Sequence, residues 1–95
     1  MKVQVEVLGL PLLARVIGKK IEMEFPGATV SEMIDHIVGK YGQPAQKALL
    51  DQDGNLDHVV QVMINTEGIM PRDDYTRREL EEGDDVKFML LVGGG

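Results

Sequence analysis

The chain has 95 residues, the size of a single domain, and 43% of them are hydrophobic, which is enough for one compact core. Its formal net charge of −6 argues against a nucleic-acid-binding surface, which needs a concentrated stripe of Lys and Arg. It contains no cysteine, and this excludes disulfides, thiolate metal sites and a cysteine nucleophile. Residues 1–20 lack a continuous apolar run and a cleavage site, so we expect a soluble, cytoplasmic protein without a signal peptide or membrane span.

Strict alternation of apolar and polar residues predicts two opening strands, over residues 2–8 and 19–25. The residues expected to face the core are Val3, Val5, Val7, Ile21, Met23 and Phe25. Residues 9–18 are bracketed by glycines and are expected to form the loop of a hairpin, although they are unusually apolar for a loop.

A helix is predicted to begin after Thr29, because Thr29 and Glu32 have the spacing of a capping box. Apolar residues then recur at helical spacing, and Gly42 is expected to end the helix. The apolar stripe comprises Val30, Met33, Ile34, Ile37, Val38 and Tyr41. Residues 44–50 are expected to add one or two further helical turns.

The polar residues 51–57 resemble the start of a calcium-binding loop. Counted from Asp51, however, Leu56 and Val62 occupy the two positions where such a loop needs Gly and Glu, so a surface turn is predicted. Residues 58–65 are apolar and β-branched and predict a strand that begins at His58. A short strand is expected over residues 67–70.

The last part of the chain is expected to contain an irregular segment or short helical turn over 71–80, a tight turn at 82–84 and a final strand over 86–92. The residues of the last two long strands expected to face the core are Val60, Val62, Ile64, Val86, Phe88, Leu90 and Val92. This parity turns Met63, Met89 and Leu91 outward, together with Gln61 and Lys87. We therefore expect the two methionines and Leu91 to form an exposed apolar patch that binds a partner, with Val92 joining it to the terminal glycines.

The order of elements is strand, strand, helix, strand, short strand, strand, which predicts an α+β fold. A right-handed crossover places the last strand beside the first. This is the β-grasp, or ubiquitin-like, arrangement: a mixed sheet of four to five strands packed on one main helix. Residues 1–92 are expected to form this domain, and residues 93–95 a flexible glycine tail.

The sequence shows no constellation of catalytic residues. His36 and His58 do not have metal-ligand spacing, and Ser31 lies in the first turn of the predicted helix, where it supports capping. The acidic cluster before the last strand is either a solvated turn or a docking patch for Lys or Arg of a partner. Its members are Glu81, Glu82, Asp84 and Asp85. We therefore do not expect an enzyme in its own right.

Several short motifs in the last third resemble the MoaD/ThiS family of sulfur-carrier proteins. They are Ile64-Asn65, Pro71-Arg72, Tyr75, Leu80, Gly83-Asp84, Val86 and the terminal Val-Gly-Gly-Gly. Their spacing looks most like the carriers of the thiamine pathway. The long connection over residues 9–18 and the segment 51–57 look more like the small subunit of molybdopterin synthase or a carrier of cysteine synthesis, so the pathway stays open.

The resemblance implies a role for the last glycine. In this family a ubiquitin-activating-like adenylating enzyme uses ATP and magnesium to activate the terminal carboxylate, which here belongs to Gly95. Sulfur from a donor such as a cysteine desulfurase then gives a thiocarboxylate, which a thiazole synthase or the large subunit of molybdopterin synthase consumes. Gly93 and Gly94 would form the tail, and no bound cofactor or metal is implied. Two alternatives remain: a ubiquitin-like protein modifier and a non-catalytic β-grasp binding module.

Overall fold

The structure, a computed structural model, describes residues 1–90, so Leu91, Val92 and the three terminal glycines lie outside the described residues. The elements are β1 (Lys2–Leu8), α1 (Pro11–Ile17), β2 (Lys20–Glu24), α2 (Val30–Tyr41), α3 (Gln43–Leu49), β3 (Val60–Ile64), a 3₁₀ helix (Arg72–Tyr75) and β4 (Asp85–Leu90). Within residues 1–90, no helix is long and apolar enough to cross a membrane.

The four strands form one mixed sheet in the order β2-β1-β4-β3. The last described strand, β4, lies parallel to β1, while the β1–β2 and β3–β4 pairs are antiparallel. A parallel neighbour requires a long crossover, which the helices supply. The strand order confirms the predicted β-grasp arrangement and the predicted place of the last strand beside the first.

One face of the sheet is buried under the helices. Among residues 1–90, the strand residues predicted to face the core are fully or nearly buried, apart from Ile21, which is half-buried, and Leu90. The prediction for Val92 lies outside the described residues. The prediction for Leu90 is wrong, because its side chain is 39% exposed. Leu90 pairs with Val60, the first residue of β3, and so lies at the very end of the sheet.

The segment over residues 9–18 is not a loop, as the sequence suggested, but contains the helix α1. Pro11 occupies its first turn, and the amide of Gly18 closes it by donating to the carbonyl of Ala14 at 2.8 Å. Leu13 and Ile17 are one turn apart and are both buried in the core. This explains why the connection is so apolar. Residues 1–90 contain three α-helices, and α2 is the longest of them, as the prediction of one main helix expects.

Helix α2 begins and ends as predicted. The Thr29 hydroxyl accepts a hydrogen bond from the Glu32 amide, and a Glu32 carboxylate oxygen accepts one from the Thr29 amide, both at 3.2 Å. Gly42 follows the helix with a positive φ of 74°, which glycine adopts without strain. The next helix, α3, confirms the further helical turns predicted over residues 44–50.

Two strand predictions in the second half are wrong in detail. Strand β3 begins at Val60 rather than at His58, because the Asp57 side chain accepts from the Val59 amide and folds residues 57–59 into a turn. The short strand expected over 67–70 is a single bridge between Met63 and Ile69. The short helical turn in the 71–80 segment and the tight turn around Gly83 are both present as predicted.

The neighbouring residues Leu12 and Leu13 test the placement of α1. Leu13 is fully buried, whereas Leu12 is 62% exposed. We expect Leu13→Ala to lower the free energy of unfolding by about 2–5 kcal/mol, because it leaves a cavity in the core. Leu12→Ala removes the same atoms and should change it by less than about 0.5 kcal/mol. Urea unfolding of both variants measures the difference; equal losses would contradict the position of the helix.

Candidate functional site

The outer face of the sheet, turned away from the helices, changes from polar to apolar along the two central strands. The pairs that follow one another from the start of β4 to its end are Gln4 with Asp85, Glu6 with Lys87, and Leu8 with Met89. The apolar pair lies at the end of the sheet from which the chain continues toward residues 91–95. A partner that binds the terminal residues would therefore meet apolar side chains on the adjacent part of the outer face.

The structure places Met63 and Met89 on this outer face, on neighbouring strands. They alternate with the buried Val62 and Phe88 and are half-buried themselves. In the register Met89 lies opposite Gln61, and Met63 lies two pairs further along, opposite Lys87, so the two methionine side chains are diagonal neighbours on the same face. Their role in binding stays a prediction. The other predicted site residues, from Leu91 to Gly95, lie outside the described residues.

Two further residues extend the methionine pair and were missed from the sequence. Leu8 is the register partner of Met89, and Ile69 is bridged to Met63. Both are substantially exposed. Together Leu8, Met63, Ile69 and Met89 form a continuous apolar surface, which we call the outer-face patch. Leu8 could have been recognised from the sequence, since it is an apolar residue at a polar position of the β1 alternation. Nothing in the sequence indicated Ile69, because only the bridge to Met63 places it beside the methionines.

Ion pairs surround the outer-face patch. Lys87 Nζ lies 2.9 Å from Asp85 Oδ2, and Arg78 Nη2 lies 2.6 Å from Glu67 Oε2, two residues before Ile69. The hydrogen bond from Arg78 lowers the pKa of Glu67 below its ordinary value. Exposed pairs of this kind add little to stability. Their effect here is that charge beside the apolar surface is held in neutral pairs.

The acidic cluster at residues 81–85 is organised as a turn. Asp84 accepts hydrogen bonds from the Glu81 amide at 2.8 Å and from Asn65 Nδ2 at 3.1 Å. Glu82 accepts from the Lys2 amide at 3.1 Å. Asn65 Oδ1 in turn accepts from the Asp85 amide at 2.9 Å. These bonds favour the structural reading of the cluster over a docking patch, and they show that the Ile-Asn and Gly-Asp motifs meet each other in space.

Arg72, the arginine of the Pro-Arg motif, also has a structural task. Its guanidinium donates to the carbonyl oxygens of Leu56, Asp57 and Val60 at 2.9, 2.9 and 2.7 Å. It thereby fixes the polar turn over residues 51–57 to the start of β3. The neighbouring Tyr75 is buried, and burial raises the pKa of its hydroxyl.

The described residues contain no assembled catalytic or metal site. A cleft of about 520 Å³ lies between α2, the polar turn and the 3₁₀ helix. The guanidinium of Arg72 lines this cleft, but it already donates hydrogen bonds to backbone carbonyl oxygens. His58 lines this cleft and is exposed, whereas His36 is half-buried with its ring centre 6.2 Å from that of Phe25. Within residues 1–90, no group of three metal-ligating side chains comes together.

Comparison with known proteins gives one family match and several structural neighbours. The model of the ThiS family matches residues 13–95. The chain is 23% identical to the small archaeal modifier protein 1 of Haloferax volcanii, with all of both chains covered and a TM-score of 0.74. It is 24% identical to a chain of the Amycolatopsis orientalis BexX/CysO complex, covering 98% of this chain and 99% of that one, with a TM-score of 0.68. It is 23% identical to a putative molybdopterin converting factor subunit 1 of Pyrococcus furiosus, with 97% and 99% covered and a TM-score of 0.66. These neighbours confirm the ubiquitin-like β-grasp fold, and the search of curated proteins found no match.

Asn65 and Thr66 provide a test of the turn that supports the sheet end. Asn65 has a positive φ of 52° and bonds to both Asp84 and Asp85, whereas Thr66 is exposed. We expect Asn65→Ala to lower the free energy of unfolding by about 1–3 kcal/mol, because partly buried groups of Asp84 and Asp85 lose their hydrogen-bond partner and alanine tolerates the positive φ less well than asparagine. Thr66→Ala should change it by less than about 0.5 kcal/mol. Thermal unfolding compares the two, and a loss of the same size in both would show that the side chain of Asn65 is not the support.

Proposed function

Because this chain belongs to the ThiS family of ubiquitin-like sulfur carriers and small modifiers, we propose that it carries sulfur as a thiocarboxylate on Gly95. The observation that carries the proposal is the family match, which extends over residues 13–95 and so includes the terminal Gly-Gly-Gly. The chain acts in this proposal as a co-substrate rather than as an enzyme.

The proposed chemistry first activates the terminal carboxylate and then replaces one of its oxygen atoms with sulfur. In a ubiquitin-activating-like enzyme with ATP and magnesium, a carboxylate oxygen of Gly95 attacks the α-phosphorus, and pyrophosphate leaves. The outer sulfur of a donor persulfide, such as that of a cysteine desulfurase, then attacks the acyl carbon, and AMP leaves with the carboxylate oxygen. This step leaves an acyl disulfide between Gly95 and the donor cysteine. A thiol reductant attacks the sulfur of the donor cysteine, forms a mixed disulfide with it and releases the terminal thiocarboxylate, which a synthase consumes.

Glycine suits a peptide end that must enter such a channel. It has no side chain to exclude and has access to both signs of φ, so three consecutive glycines place no steric demand on the channel walls. The chain itself contains no cysteine, which is consistent with sulfur carried on a carboxyl carbon rather than on a thiol.

The outer-face patch is the proposed docking surface of the adenylating enzyme. It is apolar, lies next to the end of β4 and contains two methionines, whose flexible side chains adapt to a partner surface. Two of the neighbouring cations, Lys87 and Arg78, are held in ion pairs with Asp85 and Glu67, so docking here does not leave them without a partner. Leu91 and Val92 extend this proposed contact toward the glycines.

A protein modifier is the second candidate. The similarity to a small archaeal modifier protein favours it, and the first step is the same. The difference lies in the nucleophile, which would be a lysine amine of a target protein instead of sulfur. The consuming pathway is also open between thiazole and molybdopterin synthesis, and the partner would be a thiazole synthase or the large subunit of molybdopterin synthase.

Intact-mass spectrometry tests the carrier role. After incubation with ATP, magnesium, a sulfur donor and the adenylating enzyme of the same organism, we expect a mass gain of about 16 Da, because sulfur replaces oxygen. The control is the chain without Gly95, which should remain unchanged. A gain that survives this deletion would refute the role of Gly95. Conjugates to target proteins without any gain would favour the modifier instead.

The two ends of the outer face provide a matched test of docking. Met89→Asp places a carboxylate in the outer-face patch, and Gln4→Asp places one at the polar end of the same face. We expect the first to raise the KM of the adenylating enzyme for the chain about tenfold or more, and the second to leave it within about twofold. Kinetics of pyrophosphate release give both values. Equal KM values for Met89→Asp and Gln4→Asp, together with an unchanged KM for Leu91→Asp, would exclude the patch as the docking surface.

A further inference from the structure

Most of the exposed large apolar side chains lie at one end of the domain. Within residues 1–90 they are Leu8, Leu12, Val59, Ile69 and Leu90. All except Ile69 surround the point where β1 and β4 finish. We call these four residues the terminal rim.

The residues of the terminal rim come from three parts of the chain: the segment from the end of β1 into α1, the residue before β3, and the end of β4. Val59 directly precedes Val60, the register partner of Leu90. A Cβ atom on Gly9, which follows Leu8, would lie 3.3 Å from Leu90 Cβ, so the connection after β1 packs directly against the end of β4. Leu12 begins α1 just after this connection and is the most exposed of the four, at 62%. The rim meets the outer-face patch at Leu8 but turns the corner of the domain toward α1.

Charges of opposite sign flank the terminal rim. On the side of α1 and β2, Arg15, Lys19 and Lys20 are exposed and make no ion pair within the described part of the chain. Lys20 has Glu6 as its register partner, but no ion pair forms between them. On the side of β3 lies the polar turn, with Asp51, Asp53 and Asp57. Since β2 and β3 are the two edges of the sheet, Lys19 and Lys20 at the start of β2 lie on the opposite side of the rim from the polar turn before β3.

Because few residues follow Leu90, a partner that acts on Gly95 must come close to the terminal rim. Five residues follow Leu90, and when fully extended they span at most about 17 Å. A partner must therefore bring its reacting groups within that distance of Leu90. The mouth of its channel then faces the terminal rim, whichever part of the outer face it also covers.

We propose that the terminal rim is a second docking surface, seated on the channel mouth of the adenylating enzyme, and that the flanking charges set the orientation of this contact. The enzyme would present an apolar mouth with acidic side chains toward α1 and basic side chains toward the polar turn. This inference rests on the proposed function. The adenylating enzyme is the chosen occupant because it brings a negative carboxylate to polyanionic ATP, and unpaired cations beside the entry reduce the repulsion during approach. Complementary charges at the rim of an interface act mainly on the rate and orientation of association.

Charge reversal at two arginines tests the inference with a matched control. Arg15 lies beside the terminal rim, and Arg77 is an equally exposed cation on the turn that leads back toward Thr29 at the opposite end. The assay uses the full chain and the adenylating enzyme that supports the mass gain described above. We expect Arg15→Glu to raise KM about five- to tenfold with kcat within about twofold, and Arg77→Glu to leave both unchanged. The increase should shrink at about 0.5 M salt, because salt screens exposed charges.

Two more variants separate the contributions. Lys19 lies outside the helices, whereas Arg15 is in the last turn of α1. Lys19→Glu should therefore raise KM as Arg15→Glu does, without a change at the end of a helix. Leu12→Ser should raise KM about threefold or more at every salt concentration, because its contribution is apolar. Thermal unfolding of each variant confirms that the chain is folded.

Each other outcome overturns a specific statement. Equal KM values for Arg15→Glu and Arg77→Glu, with the mass gain intact, overturn the docking surface and leave the carrier role standing. A change confined to kcat would also overturn it, because it would place the cations in the chemical step. Native mass spectrometry that finds a dimer dispersed by Leu12→Ser would show that a second copy covers the rim. No mass gain in the unaltered chain would instead refute the proposed function.

Discussion

The parallel pairing of β1 with β4 is the constraint on which the rest of the structure depends. Two parallel strands at the centre of a sheet require a crossover, and the chain places α2 and α3 in the crossover between β2 and β3. The carboxyl ends of both central strands then meet at the same edge. Residues 91–95 therefore follow a central strand rather than an edge strand, and exposed apolar side chains lie around the end of that strand.

Burial on one face divides the molecule into a core side and a contact side. The inner face holds the buried valines and Phe88 against the helices, and α1 closes the core beside the end of the sheet. The outer face has no cover within residues 1–90, and its gradient from polar to apolar runs toward the end of β4. A small domain that leaves a graded face of this kind bare is suited to hold a partner while the chain end extends into it.

The motifs that mark the family are mostly structural supports at the two ends of the β3–β4 pair. Asn65 and Asp84 tie the turn before β4 to the turn after β3, and Arg72 ties the polar turn to the start of β3. These side chains act on backbone groups of the domain itself, and so they keep the neighbouring strands β3 and β4 in register.

Local patterns in the sequence were sufficient for the strands, for α2 and for the strand order. Alternation at Val3, Val5 and Val7 and the capping box at Thr29 depend only on neighbours in the chain, so they could be recognised without a fold. The motifs toward the terminal glycines were likewise sufficient for the family. Tertiary structure alone decided that residues 11–17 form a helix, because α1 buries Leu13 and Ile17 while it packs mainly against α3, which is distant in sequence. It also decided that Leu90 is exposed and that Leu8 and Ile69 join the methionines, because exposure and contact across strands depend on which elements meet, and no residue's immediate neighbours carry that information.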